Sequence, residues 1–422
     1  MSGSEDRRLH DHDSGEGLLA VDEALERVLS QIQPLTPLEL PISEAYGCVA
    51  AEEIRSPTDL PSFPSSAMDG FAVRAADVVG ASPERPVELK VVGRAMIGRR
   101  PEVTVGSGEA VRIATGAPVP AGGDAVVPVE NADDGGDLVR IFEAVVAGRH
   151  VRPQGEDVRR GDPIVRKGMR LGAPELGLLA SAGVPHPLVH PRPRVVILST
   201  GDELVPPTTE PRFGQIRDAN AYTLFGAVRE AGGVPILAGI VRDDVDELRE
   251  TVLSFDLQAD AFVSSGGVSV GERDVVKAAF FQRGDVSFYR VAMQPGMPQG
   301  FGHVGDKPFF GLPGNPVSVF VSFEVFVRPA LLKMMGRSQL RRPEVTATLA
   351  EEVRGPVGKL QYVRVRVARG EDGWVATPTG GRGSNLIATL ARANGLAMIP
   401  PGVGVAPAGS SVRVMLFRSS ED

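Results

Sequence analysis

DAFVSSGGVSVGERD, residues 260–274, runs from a short apolar strand pattern into a turn with three glycines and three serines, then ends on Glu272 and Asp274. Glycine loses more conformational freedom on folding than other residues, so such a run marks a place where the backbone must approach something closely. Its flanks show what kind of place this is. RVVILST and VPILAGIV read as strands, each followed by a helical pattern, AYTLFGAVREAGG and DDVDELRETVLSF. ERDVVKAAFF continues the glycine turn as a helix, and VSVFVSFEVFVRPALLKMM closes the region with another. Strands alternating with helices predict a parallel sheet covered on both faces, with sites gathering at the carboxyl ends of its strands.

The glycine turn lies at such an end, where backbone N–H groups and a helix dipole make an anion seat from Ser264, Gly266, Gly267, Ser269 and Gly271. No Gly-Lys-Ser/Thr follows and the glycine spacing is not that of a dinucleotide fingerprint, so neither phosphate motif is present. A tight strand-to-helix turn with acids as caps accounts for the stretch equally well. Acids recur at the other strand ends: Asp202 and Glu203 after RVVILST, Asp218 before a helix, Asp243 and Asp244 after VPILAGIV. Singly, each suits a helix dipole; gathered beside a phosphate seat, they suit Mg²⁺, which takes few protein ligands and completes its shell with water and phosphate. GLPGNPVSVF, 311–320, adds a helix start with Asn315 as N-cap and Pro316 in the first turn.

Composition narrows the function classes. The 422 residues exceed one ordinary core and predict roughly two to four domains. A net charge of −8 and 5% aromatic residues argue against a nucleic-acid partner. The single cysteine, Cys48, excludes an internal disulfide framework, and the six histidines show no metal-ligand spacing. The charged first seventeen residues read as a disordered tail and not as a signal peptide. VSVFVSFEVFV, 317–327, contains Glu324 and is too short to cross a bilayer, so the expectation is a cytoplasmic protein without membrane insertion.

Along the chain, a tail at 1–17 precedes helix and turn at 18–44 and 148–188, which bracket a β-rich segment at 45–147. The alternating region occupies 189–335, and β-rich sequence resumes at 336–422, where a small barrel or sandwich is expected. Two proline-framed loops in the first β segment, PSFPSSAMDGFAV and RIATGAPVPAGGDAVVPVE, each read alone as turns.

In this order, PSFPSSAMDGFAV, IATGAPVPAGGDAVV, QGEDV, STGDELV, GQIRDANAYTL, SSGGVSVGERD, GLPGNPVSVF and RGSNLIATLARANGL resemble the molybdopterin molybdenumtransferase family, MoeA in bacteria and the E domain of gephyrin in animals. The resemblance spans about residues 18–417. It implies a homodimer of elongated subunits, each with a helical linking domain, a β arm, a doubly wound α/β pterin-binding domain and a C-terminal β-barrel-like domain. The implied reaction inserts molybdate into adenylylated molybdopterin with release of AMP, assisted by Mg²⁺. By resemblance, catalytic roles fall on Asp69, Thr115, Asp157, Glu203 and Asp274, and metal ligation on Glu203, Asp274 and either Asp243 or Asp244. Substrate contacts are implied for the glycine turn and for Asn220, Arg290, Pro313, Asn315, Arg364 and Ser384. Molybdopterin adenylyltransferase and molybdoenzyme assembly factors are the implied partners.

The chain departs from the family at one segment. Many members carry a K-P-G-K-P run, taken to receive anionic substrate, where this sequence has QPGMP with Gln294 and Met297 at the lysine positions. Arg290 and Lys277 are candidates to supply the missing charge. Two other readings remain: the preceding adenylyl transfer, whose enzyme resembles only the α/β part, and a gephyrin-like scaffold that binds a protein partner.

Overall fold

The computed structural model describes residues 17–267, 275–281, 286–381 and 383–418; all of the expected tail except Gly17 lies outside them. Two compact units divide the chain, one formed by Met1–Leu38, Gly47–Val49 and His190–Asp422, the other by Glu39–Tyr46 and Ala50–Val189.

A six-stranded sheet forms the centre of the first unit. Its strands are β1 (Arg194–Thr200), β2 (Val234–Val241), β3 (Ala261–Ser265), β4 (Val286–Arg290), β5 (Pro298–Val304) and β6 (Lys307–Leu312), in the spatial order β2-β1-β3-β6-β5-β4. The first four neighbours run parallel, whereas β5 is antiparallel to both β6 and β4. Alternation along the strands serves both faces. Val195, Ile197, Val263, Phe310 and Leu312 face one core, shared with the helix Asn220–Ala231 and the run 316–334. Val196, Leu198, Phe262 and Phe309 face the other, shared with the helix Val245–Ser254 and with Val275, Val276 and Phe280. The sheet is therefore doubly wound, as the alternation predicted, but it is mixed and not wholly parallel. The helix Val21–Ser30 adds Val21, Ala24, Leu25 and Val28 to the first of these cores.

The C-terminal strands close on themselves. These are β7 (Glu344–Leu349), β8 (Leu360–Gly370), β9 (Gly373–Pro378), β10 (Gly395–Ile399) and β11 (Ser411–Leu416), joined in the order β8-β9-β7-β11-β10 with β10 paired back to β8. Val365, Val367, Ala376, Ala397, Val412 and Val414 fill the interior of this barrel-like sheet. The expected hairpin is present, with Gly370 opposite Gly373 across Glu371 and Asp372.

The second unit carries its own six-stranded sheet, built from 70–73, 87–95, 109–113, 125–128, 132–134 and 138–141 around Phe71, Val73, Leu89, Val127, Val139 and Ile141. Within 148–188, the helix Ala173–Ala182 starts where the Glu175 carboxylate accepts the Gly172 N–H at 2.8 Å, and it ends on Gly183 at φ 77°. The rest of that segment pairs in short pieces: Val151–Arg152 with Ser65–Ser66, and Pro163–Val165 with Ile54–Arg55.

Glu324, the one acid in the most apolar run, is fully buried. Its carboxylate accepts from Arg342 Nε at 2.8 Å and Nη2 at 2.9 Å, with Arg328 Nε at 3.8 Å. Burial and the neighbouring Arg342 push the Arg328 pKa down to about 10. Removing the charge would leave two buried guanidinium groups with only Glu230 among the described residues, 3.4 Å from Arg342 Nη2, to offset them. Glu324→Gln is expected to cost about 3–5 kcal/mol, read as a lowered urea midpoint at unchanged slope.

Candidate functional site

Four parallel strand ends converge at one edge of the central sheet. Gly201 N–H bonds to Val241 O at 3.2 Å, Gly266 N–H bonds to Leu312 O at 3.0 Å, and Asn220 Nδ2 reaches Gly314 O at 2.7 Å. Thus the loops after β1, β2, β3 and β6 are tied by backbone contacts, and Asn220 at its helix start is tied to the turn that holds Pro313 and Asn315. Beneath them the hydroxyls of Ser199 and Ser265 lie 3.2 Å apart. Ser264 Oγ and Asn220 Oδ1 are buried with no hydrogen-bond partner among the described residues. An orphaned buried acceptor beside exposed loop ends fits a polar ligand that brings the missing donor.

The glycines have a further reason to be glycine. Gly266 (φ 91°) and Gly267 (φ 69°) occupy left-handed backbone; a Cβ on the first would lie 2.7 Å from Thr200 O, and on the second 2.5 Å from Val276 Cγ2. The protein's own atoms therefore already demand glycine at both positions. Ser269, Gly271 and Asp274 of the expected seat lie outside the described residues.

The acids separate into two groups. Asp244 caps the helix Val245–Ser254, accepting from Asp246 N and Glu247 N at 3.0 and 2.8 Å; Asp218 accepts from Ala221 N at 3.1 Å in the same manner. Asp202, Glu203 and Asp243 are exposed at the strand ends, and Asp202 Oδ1 accepts the Asp243 N–H at 3.3 Å. Of the alternatives Asp243 and Asp244, the second is used by the fold. Among the described residues no three metal-ligating side chains converge. A few hard carboxylate oxygens on neighbouring loops nevertheless suit Mg²⁺ bound mainly through substrate phosphate. Asn315 occupies the expected cap position, yet its side chain makes no capping bond; Val319 N bonds to its carbonyl at 2.9 Å.

A cleft of about 600 Å³ opens elsewhere in the same unit, bounded by Gln294, Pro295, Gly296, the start of the 316–322 helix, and β8 with its neighbouring loops. Arg364 and Ser384 both line it. Arg364 is 7% exposed and donates to the carbonyls of Gly383 and Gly381, and burial lowers its pKa. The Ser384 carbonyl accepts Val317 N–H at 2.9 Å. Arg354 and Gln361 also line the cleft, and no motif marked them. Gln361 arrives because Met293–Gln294 pair in parallel with Leu360–Gln361, a contact across more than sixty residues of sequence, and Arg354 lies in a short strand paired with Val405. Arg290 lies at the end of β4, outside the cleft lining.

In the second unit, Asp69 and Thr115 meet. Asp69 Oδ1 accepts the Thr115 N–H at 2.8 Å, while the two loops interlock through Gly116 N to Ser66 O (2.8 Å) and Ser66 N to Ala117 O (3.0 Å). Asp157 is exposed in the 153–162 loop, with its N–H bonded to Leu60 O at 3.0 Å.

Family models match the chain in three consecutive pieces: the MoeA N-terminal region (domains I and II) over 19–183, a probable molybdopterin binding domain over 196–333, and the MoeA C-terminal region (domain IV) over 346–417. The chain belongs to the MoeA family. Molybdopterin molybdenumtransferase 2 of Mycobacterium tuberculosis is 41% identical over 401 residues, covering 94% of this chain and 98% of that one. The Haemophilus influenzae molybdopterin molybdenumtransferase is 34% identical over 95% of this chain and 99% of its own length. A crystal structure of a molybdopterin biosynthesis MoeA protein from Pyrococcus horikoshii superposes with a TM-score of 0.80 at 35% identity, covering 95% of this chain and all of that one. No helix among the described residues of this MoeA protein is long and apolar enough to cross a membrane.

The glycine geometry can be tested directly. Gly266→Ala, with its left-handed backbone and close Thr200 carbonyl, is expected to lose about 1–3 kcal/mol in urea unfolding. Gly314→Ala, whose new Cβ meets only Gly266 Cα at 3.7 Å, is expected to unfold like the parent.

Proposed function

We propose that this chain is a molybdopterin molybdenumtransferase, which inserts molybdate into adenylylated molybdopterin and releases AMP, working in the cytoplasm as a homodimer. The observation that carries the reading is the presence, in one unit, of a strand-end platform whose buried Ser264 and Asn220 oxygens have no partner among the described residues, and of a separate cleft holding Arg364 and Ser384. The platform suits a pterin nucleotide; the cleft suits a small anion. The 30–41% identity to enzymes bearing that name supports it over the full length.

In this reading Ser264, Gly266, Gly267 and Asn220 hold the pterin and its phosphate by hydrogen bonds from the platform, joined by Ser269 and Gly271, and the turn Pro313–Asn315 closes its side. Glu203, Asp243 and Asp274 hold Mg²⁺, with Asp202 beside them. When bound, that ion supplies Lewis-acid stabilisation of charge on the departing phosphate. Arg364 and Ser384 hold the oxyanion. Asp69, fixed by the Thr115 N–H, and Asp157 complete the site from the partner subunit, orienting the leaving nucleotide.

Mixing the protein with adenylylated molybdopterin, Mg²⁺ and molybdate is expected to give molybdate-dependent AMP release; its absence would overturn the reading. Alanine at Asp69, Glu203 or Asp274 is expected to lower turnover about a hundredfold or more with folding unchanged, and to do so non-additively. Subunit exchange between Asp69→Ala and Asp274→Ala proteins is expected to restore partial activity, whereas no recovery after proven exchange would place the whole site in one chain. Gln294→Lys is expected to tighten molybdate use about tenfold at low salt, with the gain shrinking as ionic strength rises.

A further inference from the structure

Among the described residues, the lining of the cleft that contains Gln294 offers a dianion no cation free of an acid besides Arg364. Its lining carries two arginines, Arg354 and Arg364, and two acids, Glu351 and Glu352. Arg354 is paired with Glu352, and Arg364 directs its Nη atoms at two carbonyls, so the lining is close to neutral. A further cation, Lys359, lies outside the lining but two residues before the lining residue Gln361. Lys359 is half-buried, and among the described residues its ammonium makes no ion pair; its one hydrogen bond there goes to Met297 Sδ at 3.3 Å. A thioether is a weak acceptor, so this bond would yield readily to an anionic oxygen.

Backbone structure fixes where that ammonium can act. Leu360 N–H bonds to Ala292 O at 2.9 Å, which starts the parallel pairing of Met293–Gln294 with Leu360–Gln361. Gln299 Nε2 donates to both Gly296 O and Ser322 Oγ at 2.6 Å, clamping the turn between Gln294 and Met297. The acceptor side is rigid, and the lysine side chain is the part that can move.

We propose that Lys359 is an anion-binding group of this cleft, swinging from the Met297 sulfur to a tetrahedral oxyanion held with Arg364. The assignment rests on the transferase reading and is to molybdate, not to a phosphate of the pterin nucleotide. It carries a consequence for Met297: a lysine there would set a second ammonium against the first, and like charges at that separation repel.

The test uses full-length protein and equilibrium binding of molybdate, with adenylylated molybdopterin titrated separately. Lys359→Gln is expected to weaken molybdate about tenfold and leave the pterin nucleotide unchanged; Lys359→Arg is expected to stay within about threefold of the parent. Met297→Lys alone is expected to give no gain, yet in the Lys359→Gln background it restores parental binding, because one ammonium then replaces the other. Unfolding midpoints of all variants are read alongside, and the restored double variant shows that loss in the single one is not misfolding. Parental molybdate binding in Lys359→Gln, or a loss confined to the nucleotide, would overturn the proposal while leaving the transferase reading in place. A parent that binds neither ligand would overturn both.

Discussion

The structure of the first unit depends on how closely its strand-end loops pack. Gly266 passes so near Thr200 that no side chain fits between them, and its N–H is bonded to the last residue of β6. This brings the loop after the third strand against the loops after the first and sixth, and from it follow the position of the turn 313–315 and the tie between Gly314 and Asn220. Gly266 and Gly267 are needed first by the protein itself. Any ligand then meets a surface whose backbone is already fixed, and an ordered seat costs less to bind than one that must be assembled.

Local patterns carried much of this fold. The strands Arg194–Thr200 and Val234–Val241 and their following helices lie where alternation of strand and helix signals placed them, because period and composition agreed there. The strands β4, β5 and β6 left no such local mark. PQGFGHV and KPFFGL contain glycine and proline, which lower strand propensity, and only their pairing across Asp306 makes them a hairpin. The barrel was legible as β-rich sequence, but its closure was not, since the pairing of 360–365 with 395–399 leaves no local mark.

Site residues were legible in proportion to how local their settings are. The Asp69-Gly70 pair is visible in sequence as a turn, and the structure adds a reason for the glycine, since a Cβ there would run into the Val127 carbonyl. The cleft is the opposite case. Gln294 and Met297 read as two lost charges because sequence compares a position only with the same position elsewhere. Lys359 reaches Met297 from sixty-two residues away through a strand pairing, so a charge absent from one segment is present in space.

The acids at the sheet edge show why counting them was not enough. Three of the five in the described loops, Asp218, Asp243 and Asp244, precede a helix start, where a carboxylate is stabilised by the N-terminal dipole whatever else it does. Hydrogen bonds divide them: Asp218 and Asp244 each accept the N–H groups of their own helix, and a carboxylate so engaged has less capacity left for a cation. Asp202 instead accepts the N–H of Asp243 from the next loop, and Glu203 folds back over Gly201. These two loops thus present carboxylates that cap no described helix, at the edge where the buried oxygens of Ser264 and Asn220 lack partners among the described residues. Groups the fold leaves unspent, gathered at one sheet edge, are where chemistry has to be sought.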